Sequence, residues 1–348
     1  MNAMNGLVPG ACIAGVVTCL PSRQVTNDYF SEIFSELEIS NAEKMTGVRC
    51  RYWVDGESAS DLSLAAGRRL LDGLNWLPDS VDGLIYVTQS PDYVLPATSI
   101  KLAGALGLRN GILAFDVNLG CSGYPYGIFL AESIILSGIA KRILVVASET
   151  ASQIIDKSDK STAMIFGDAG SVTAVEADAA GRSAYVFGAD AAGQPHLIIP
   201  SSRFCRNELV ADERLRDKNP DYIFMDGAEV FNFTLKRVPP LVQQTQALFG
   251  DAFDYFLFHQ ANRFMLNHLV KKMKIEPNKA LINIEDYGNT SSASIPLLLT
   301  TSFKSLLPSM AAQQKIRVGL FGFGVGYSWG GLGKELASDV FLENITLP

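Results

Sequence analysis

The sequence has 348 residues, enough to bury a sizeable core in one large domain or in two similar ones. Hydrophobic residues make up 48% of the chain and charged residues 19%, without a low-complexity run, so the disordered and fibrous classes are excluded. The net charge of −7 argues against a general nucleic-acid binder, because binding to phosphate groups requires a basic surface. We therefore expect a globular protein without a nucleic-acid partner.

The N-terminal stretch Met1–Leu20 carries no Lys or Arg before its apolar part, whereas a signal peptide normally does. No stretch of the chain reaches transmembrane length, so no membrane partner is expected, and Ala11–Cys19 is predicted to be a first buried strand. With only three histidines, no metal centre is expected. The odd number of cysteines and the lack of a CxxC pair indicate free thiols in a reducing cytoplasm: Cys12, Cys19, Cys50, Cys121 and Cys205.

Strand-like apolar runs alternate with helix-like segments, a pattern that predicts α/β layering. In the first half of the chain, a strand with a polar tip is predicted over Asp82–Ser90, followed by a helix over Pro96–Leu106. A second strand over Ile112–Val117 leads into a long helix over about Ser122–Ser137. A third strand is predicted over Arg142–Ser148.

The second half repeats this order of elements. A strand with a polar tip is predicted over Asp254–Asn262, followed by a basic helix over Phe264–Met273. A second strand over Ala280–Ile284 leads to a helix that begins near Ser292, and a third strand covers Ile316–Phe321. The repeated order indicates an internal duplication.

We predict two similar halves, residues 1–180 and 181–348, joined by a linker in the small-residue stretch Asp178–Ser183. Ligands of open α/β sheets bind beyond the carboxyl ends of the strands. Two duplicated halves packed against each other would bring their strand tips together. Three candidate catalytic residues occupy such tips: Cys121, His259 and Asn289.

Cys121 lies where a predicted strand turns into a long helix. A thiol at a helix N-terminus is close to the positive end of the helix dipole, which favours the thiolate. Gly120 and Gly123 permit a tight turn and the close approach of a ligand. A buried structural cysteine is the alternative, since free cysteines are usually buried. The other cysteines lack this context and are assigned to the core or the surface.

His259 ends a run of buried-type residues, where a neutral imidazole can donate a hydrogen bond to a developing oxyanion or exchange a proton. A satisfied core or capping histidine is the alternative. Asn289 precedes a predicted helix, so it could simply cap that helix. As an uncharged donor aimed at a carbonyl oxygen, it would instead stabilise an enolate, as a condensing site requires.

The glycine cluster Phe321–Gly331 does not match the G-x-G-x-x-G spacing of dinucleotide-binding loops, and no βαβ unit follows it. Closely spaced glycines allow backbone N–H groups to point into a site. We therefore predict that this segment contributes to an oxyanion hole.

Taken in order, several motifs resemble the type III β-ketoacyl-carrier-protein synthases over nearly the whole chain. The resemblance implies a homodimer with a thiolase fold, in which two duplicated βαβαβαββ-like halves form five αβαβα layers. The motifs that carry it are Thr46–Arg49, Asp116 with Cys121–Gly123, Phe166–Gly170, Glu229–Phe231, His259–Asn262, Gly288–Thr290 and Phe323–Gly330.

The resemblance implies a catalytic site made of Cys121, His259 and Asn289. In that family the cysteine takes an acyl group from a thioester. The histidine and asparagine then stabilise the enolate that forms when a malonyl thioester loses carbon dioxide, and the enolate carbon attacks the acyl-enzyme. By position, the backbone N–H groups of Cys121 and Val325 would form the oxyanion hole.

Further roles follow from the resemblance alone. Phe166 would line the acyl pocket, and Leu95 matches a residue that reaches into the partner subunit's pocket. The basic helix with Lys271 and Lys272 resembles the surface that docks the acidic acyl carrier protein, although a solvated helix face is the simple alternative. No cofactor is implied, since the substrates are acyl-coenzyme A or acyl-carrier-protein thioesters.

Departures from the family pattern bear on the acyl donor. Many relatives that use coenzyme A stack its adenine on a tryptophan where this chain has Asn41. The basic residue often found before the threonine of the Thr-Gly pair is Met45, and the arginine expected near the nucleotide is Lys160. These changes favour a carrier-protein-bound donor or a specialised pathway. No cysteine follows Cys205, so the second catalytic cysteine of a thiolase is missing.

The leading prediction is acyl transfer followed by decarboxylative condensation, in cytoplasmic fatty-acid-like or secondary-metabolite synthesis. Two other functions stay open. The acyl group on Cys121 could pass to an oxygen or nitrogen nucleophile without condensation. The chain could also be a non-catalytic subunit of a heteromeric ketosynthase, although the intact set of Cys121, His259 and Asn289 argues against this.

Overall fold

The computed structural model describes residues 4–201, 213–215, 218–311 and 314–348, and its alternating strands and helices confirm the α/β class. Cys205 lies outside the described residues. The strands are β1 (Met4–Leu20), β2 (Gln24–Thr26), β3 (Cys50–Tyr52), β4 (Gly83–Val87), β5 (Leu113–Val117), β6 (Arg142–Ala147), β7 (Gly170–Ala189), β8 (Leu197–Ile198), β9 (Phe224–Met225), β10 (Tyr255–Phe258), β11 (Ala280–Leu281), β12 (Lys315–Gly324), β13 (Ser328–Ala337) and β14 (Phe341–Thr346). The helices are α1 (Glu36–Thr46), α2 (Ala59–Leu74), α3 (Thr98–Ala105), α4 (Gly123–Leu136), α5 (Lys160–Ala163), α6 (Gly227–Phe249), α7 (Arg263–Met273), α8 (Ile284–Tyr287) and α9 (Ser294–Leu298).

The two halves of the main sheet have the same strand order. In the first half β4 lies between β5 and β6, and in the second half β10 lies between β11 and β12, all in parallel pairs. An antiparallel strand follows in each half, β7 beside β6 and β13 beside β12. The order along the sheet is therefore β11-β10-β12-β13-β7-β6-β4-β5, which is symmetrical about the β13–β7 pair.

Two long strands, β1 and β7, run through both halves. The first residues of β1 pair with Arg182–Phe187, and its residues from Ala11 onward pair with Gly170–Ala177. The predicted linker at Asp178–Ser183 is therefore wrong, because these residues lie inside β7. Small side chains are needed here for close contact between strands and not for flexibility, since a Cβ at Gly181 would lie 2.0 Å from the carbonyl oxygen of Ala11.

Helices cover both faces of the sheet and fill the space between its halves. Alternate residues of β4 show the arrangement: Leu84 and Tyr86 pack with residues of α2 and α3, whereas Ile85 and Val87 pack with α4. α4 and α9 contact strands of both halves, and α6 packs on the other side of β12 and β13. The layers therefore follow the predicted order α, β, α, β, α.

The predicted glycine-rich loop is mostly an antiparallel hairpin. β12 continues to Gly324 and β13 starts at Ser328, so only a short turn separates them. The glycines bring α6 close to this hairpin, because a Cβ at Gly331 would lie 2.4 Å from Oγ1 of Thr245. Close helix packing therefore explains part of the glycine cluster that sequence analysis assigned to a site.

The edge strand β11 is shorter than the predicted Ala280–Ile284. It ends at Leu281, because Ile284 is buried in a separate apolar cluster and begins the short helix α8. The next helical segment begins at Ser291, one residue from the predicted start. Within the described ranges, no helix combines the length and apolar character needed to cross a membrane.

Candidate active site

Cys121 lies in the turn between β5 and α4, directly before the N-cap residue Ser122, and is 5% exposed. Two glycines make room around it. A Cβ at Gly324 would lie 2.7 Å from the Cβ of Cys121, and the φ of +156° also favours glycine there. A Cβ at Gly120 would lie 2.3 Å from Oε1 of Gln89. Glycine at positions 120 and 324 therefore allows the backbone and the Gln89 side chain to pack closely around Cys121.

Burial dominates the electrostatics of the Cys121 thiol and raises its pKa to about 11. Hydrogen bonds from the Ser291 hydroxyl and from the backbone N–H of Val325 lower the pKa, but by less. The Ser291 Oγ lies 3.8 Å from the Sγ of Cys121. The predicted preference for the thiolate at this helix N-terminus is therefore outweighed by desolvation, and the resting group is a thiol.

His259 follows β10 and extends the ladder with β12 by one hydrogen bond, from its backbone N–H to the carbonyl oxygen of Phe321 over 2.8 Å. Its side chain is 1% exposed, and burial lowers the pKa of the imidazole to about 3. The Nδ1 lies 2.7 Å from Oγ of Ser294, at the start of α9. The imidazole is therefore neutral at physiological pH, which is the state that the sequence-based prediction assumes.

Asn289 is held by the backbone of the segment around Phe166. Its N–H donates to the carbonyl oxygen of Ile165 over 2.8 Å, and its carbonyl oxygen accepts from the N–H of Gly167 over 3.0 Å. Its Oδ1 accepts from the N–H of Ser291 over 2.9 Å. The Nδ2 group has no hydrogen-bond partner among the described residues, so it can donate to a ligand.

Ser291 connects the three predicted catalytic residues. Its hydroxyl faces the thiol of Cys121, its N–H binds the side chain of Asn289, and its backbone is hydrogen-bonded to the imidazole of His259. It has a φ of +50°, a conformation that serine rarely adopts. Sequence analysis missed this role, because one serine in a serine-rich turn carries no sign of a positive φ.

Glu149 is a second residue that sequence analysis missed. It follows β6, is almost fully buried, and is one of the residues that line the space beside Cys121. Burial raises the pKa of its carboxyl group to about 7. The carboxylate accepts hydrogen bonds from the tip of β4 and from the turn after Asn289, namely from the Gln89 N–H and from the hydroxyls of Thr88, Ser90 and Ser292. It therefore joins the two halves next to the thiol.

A cavity of about 390 Å³ lies beside Cys121. Its apolar lining comes from both halves of the chain: Ala151, Ile154, Phe166, Leu197, Ile198, Ile199, Ile223 and Val325. Its polar lining residues are Gln89, Asn118, Glu149, Gln194 and Ser291. Two of the residues that the resemblance assigned to the site, Phe166 and Val325, thus lie in this lining.

The other predicted residues are not in this lining. His259 and Asn289 contact Ser291, which belongs to it. Leu95 is on the loop after β4 and is 79% exposed. Lys271 and Lys272 are in the last turn of α7, where the Nζ of Lys272 donates to the carbonyl oxygen of Leu235 in α6 over 2.8 Å. In the part of the chain that the structure describes, no three His, Cys, Asp or Glu side chains are grouped to hold a metal ion.

Two family models match the chain. The family 3-oxoacyl-[acyl-carrier-protein (ACP)] synthase III matches residues 115–192, and its C-terminal counterpart matches residues 244–334. The β-ketoacyl-[acyl-carrier-protein] synthase III of Lactococcus lactis subsp. lactis is 34% identical over 326 residues, covering 92% of this chain and 97% of the relative. That of Clostridium tetani is 33% identical over 320 residues, covering 89% and 93%.

Solved structures agree with this result. The 3-oxoacyl-(acyl-carrier protein) synthase of Burkholderia xenovorans LB400 superposes with a TM-score of 0.96 at 45% identity, covering 99% of each chain. The priming β-ketosynthase of the R1128 polyketide biosynthetic pathway superposes with a TM-score of 0.83 at 27% identity, covering 94% of this chain and 97% of that structure.

The fold and the strand-tip site define a condensing enzyme of the thiolase fold, as the sequence analysis predicted. Within that class, the chain belongs to the β-ketoacyl-[acyl-carrier-protein] synthase III family. The predicted fold, family and enzyme class are therefore confirmed.

Proposed function

We propose that this chain loads an acyl group on Cys121 and then condenses it with a malonyl thioester bound to a carrier protein. The observation that carries the proposal is the convergence of Cys121, His259 and Asn289 on Ser291, which lines one cavity together with Cys121. The family that the chain belongs to supports the reaction class. The pathway we propose is fatty-acid-like or secondary-metabolite synthesis.

In the first half-reaction, the Sγ of Cys121 attacks the carbonyl carbon of the donor thioester. The bond from Sγ to the acyl carbon forms, the bond to the donor sulphur breaks, and the thiol proton passes to the departing donor thiolate. Burial supports this order, because it keeps the thiol protonated until it reacts. We assign the oxyanion hole to the backbone N–H groups of Cys121 and Val325, and the N–H of Val325 already faces the sulphur.

In the second half-reaction, the malonyl thioester loses carbon dioxide, and the electron pair of the broken carbon–carbon bond forms an enolate. The imidazole of His259 and the Nδ2 of Asn289 donate hydrogen bonds to the enolate oxygen. The enolate carbon then attacks the acyl carbon, the bond to Sγ breaks, and the thiolate of Cys121 takes up a proton. Two uncharged donors suit this step, because they stabilise the enolate without protonating it readily. These steps balance without an oxidant or a reductant. That the enzyme uses no cofactor stays a prediction.

We propose a carrier-protein-bound acyl donor for the first step. Asn41 and Met45 are exposed on α1. Because position 41 is an asparagine, it offers no aromatic ring on which adenine could stack. The Nζ of Lys160 forms an ion pair with Glu38 of α1 over 2.9 Å, so this cation is already engaged by a carboxylate. Both observations favour a donor without a nucleotide.

We propose α7 as the docking surface for the acyl carrier protein. Lys271 and Lys272 are exposed in its last turn, and an acidic carrier protein would complement them. The hydrogen bond from the Nζ of Lys272 to the carbonyl oxygen of Leu235 in α6 holds one of these cations where the two helices meet. Charge-reversal at either lysine should lower the rate with carrier-protein substrates.

We also propose a homodimer. β5 is at one end of the main sheet, and four of its five residues are apolar, with Leu113 40% exposed. An exposed apolar edge of this kind is suited to pair with a second copy. The exposed Leu95 supports its predicted insertion into the partner subunit's pocket. A cytoplasmic location is supported by the unpaired thiols of the described cysteines.

The test of the proposed function is intact-protein mass after incubation with acyl-coenzyme A and acyl-carrier-protein thioesters. We expect a mass gain that maps to Cys121, and release of carbon dioxide after malonyl-carrier protein is added. A mass gain without carbon dioxide release would indicate transfer to an oxygen or nitrogen nucleophile. No mass gain with any donor, in a folded preparation, would contradict the proposal and favour a non-catalytic subunit.

A further inference from the structure

The cavity beside Cys121 contains a pair of amide side chains that neither half-reaction uses. The Nε2 of Gln89 donates to the Oδ1 of Asn118 over 3.3 Å. Gln89 follows β4 and Asn118 follows β5, so the pair joins two neighbouring strand tips. Both residues line the cavity.

The contact between the two amides leaves one group of each without a partner. Among the described residues, neither the Oε1 of Gln89 nor the Nδ2 of Asn118 has a hydrogen-bond partner. If the oxygen and nitrogen of both amides are exchanged, one side chain still has a free carbonyl oxygen and the other a free NH₂ group. The amide pair therefore offers the cavity one free acceptor and one free donor.

The amide pair lies beside Gly120, the residue directly before the reacting Cys121. The Oε1 of Gln89 is 2.3 Å from the point where a Cβ at Gly120 would be, and the Ser291 Oγ is 3.1 Å from the same point. That Ser291 Oγ is 3.8 Å from the Sγ of Cys121. Glycine at position 120 is therefore what allows a glutamine side chain next to the nucleophile. The isoleucines that line the cavity form its apolar wall: Ile154, Ile198, Ile199 and Ile223.

We propose that the acyl donor carries a hydroxyl group on carbon 2 or carbon 3, next to its thioester, with an apolar remainder. This inference rests on the proposed acylation of Cys121. A hydroxyl group both donates and accepts, so it satisfies the unpaired oxygen and the unpaired NH₂ group together. A methylene group offers this pair neither a donor nor an acceptor, so a plain acyl chain gains less here than a hydroxyacyl chain.

The test compares the rates of Cys121 acylation by butyryl, 2-hydroxybutyryl and 3-hydroxybutyryl groups on the same acyl carrier protein, followed by intact mass. We expect one hydroxyacyl donor to react about tenfold faster than butyryl, the effect of about one neutral hydrogen bond. Gln89→Met and Asn118→Leu should each bring this ratio close to one. The matched control is Gln243→Met, at an exposed position of α6, which should keep the wild-type ratio.

Equal acylation rates with the three donors would overturn the inference. The inference would also be overturned if either cavity variant is folded, as shown by its thermal melt, and keeps the wild-type ratio of hydroxyacyl to butyryl rates. Two variants are used so that misfolding of one leaves the other as the test. Reaction of butyryl alone, or of none of the three while other acyl donors react, also overturns it. No mass gain with any donor contradicts the proposed function itself, so the two failures can be told apart.

Discussion

The two halves of the sheet share their strand order but differ in how the chain leaves the strands. In the first half, β5 passes through a short turn into the regular helix α4, and Cys121 lies at that junction. In the second half, β11 has only two residues, and Asn289 lies in an irregular turn between α8 and α9. A strand–helix junction presents one sulphur atom at a defined point, whereas the irregular turn orients an amide through several backbone hydrogen bonds.

Corresponding strands carry different chemistry. Cys121 and Asn289 follow the outer strands β5 and β11, whereas Gln89 and His259 follow the central strands β4 and β10. The repeated topology therefore provides four positions around one site, and the residue type at each position decides its role. Under the proposed function, the first half would take up the acyl group and the second half would stabilise the enolate.

The largest expected effect is that of Cys121→Ala. The first half then lacks its acyl acceptor, so we expect no mass gain with any donor and no condensation product, with little change in thermal stability. Cys12→Ala, at a half-buried thiol of β1 outside the cavity, is the matched control. If the Cys121→Ala protein is still acylated, the assignment of the nucleophile is wrong.

Next in size are His259→Ala and Asn289→Ala, which remove the proposed enolate donors of the second half. We expect carbon dioxide release from malonyl-carrier protein to fall by about 10²- to 10³-fold, the usual effect of losing one oxyanion donor. Acylation, followed by intact mass, should fall much less. Asn110→Ala, at an exposed loop position, is the control for the asparagine variant. Equal losses in both half-reactions would contradict the division between the halves.

Glu149→Gln tests the contact that joins the halves. In the folded protein, burial raises the pKa of Glu149 from 4.5 to about 7, so the folded state takes up this proton at a higher pH than the unfolded state. Its contribution to stability therefore rises as the pH falls from about 7 to about 4.5. We expect wild type to gain about 3 kcal/mol of unfolding free energy over the variant across this range.

Urea unfolding at several pH values measures this difference. Glu32→Gln, at an exposed carboxylate outside the site, is the matched control variant. If the difference in unfolding free energy between wild type and Glu149→Gln does not change with pH, the buried carboxylate is not protonated in this range.

The smallest effects are expected at Ser291, compared as Ser291→Gly and Ser291→Ala. Both variants lose the hydroxyl that lowers the pKa of Cys121, so alkylation of the thiol by iodoacetamide at neutral pH should slow by a few-fold. Glycine tolerates the φ of +50° and alanine does not, so the alanine variant should be less stable by about 1 kcal/mol. Equal melting temperatures and unchanged alkylation would show that Ser291 does not connect the halves.

Local properties of the sequence determined most of the elements and the choice of catalytic candidates. Apolar runs with polar ends predicted β4, β5 and β10 to within a few residues, because burial of an apolar strand depends mainly on its own side chains. The reactive residue types at strand tips, together with the order of motifs, predicted Cys121 and His259 as site residues.

Tertiary structure alone decided what surrounds those residues. The contact between Cys121 and Ser291 joins positions 170 residues apart, and the pKa of the thiol depends on burial by both halves. Likewise, the continuity of β7 through the predicted linker depends on pairing with β1. Desolvation and long-range pairing depend on which segments meet in space. The sequence by itself therefore determined the reactive groups, whereas the folded chain decided their protonation states and their hydrogen-bond partners.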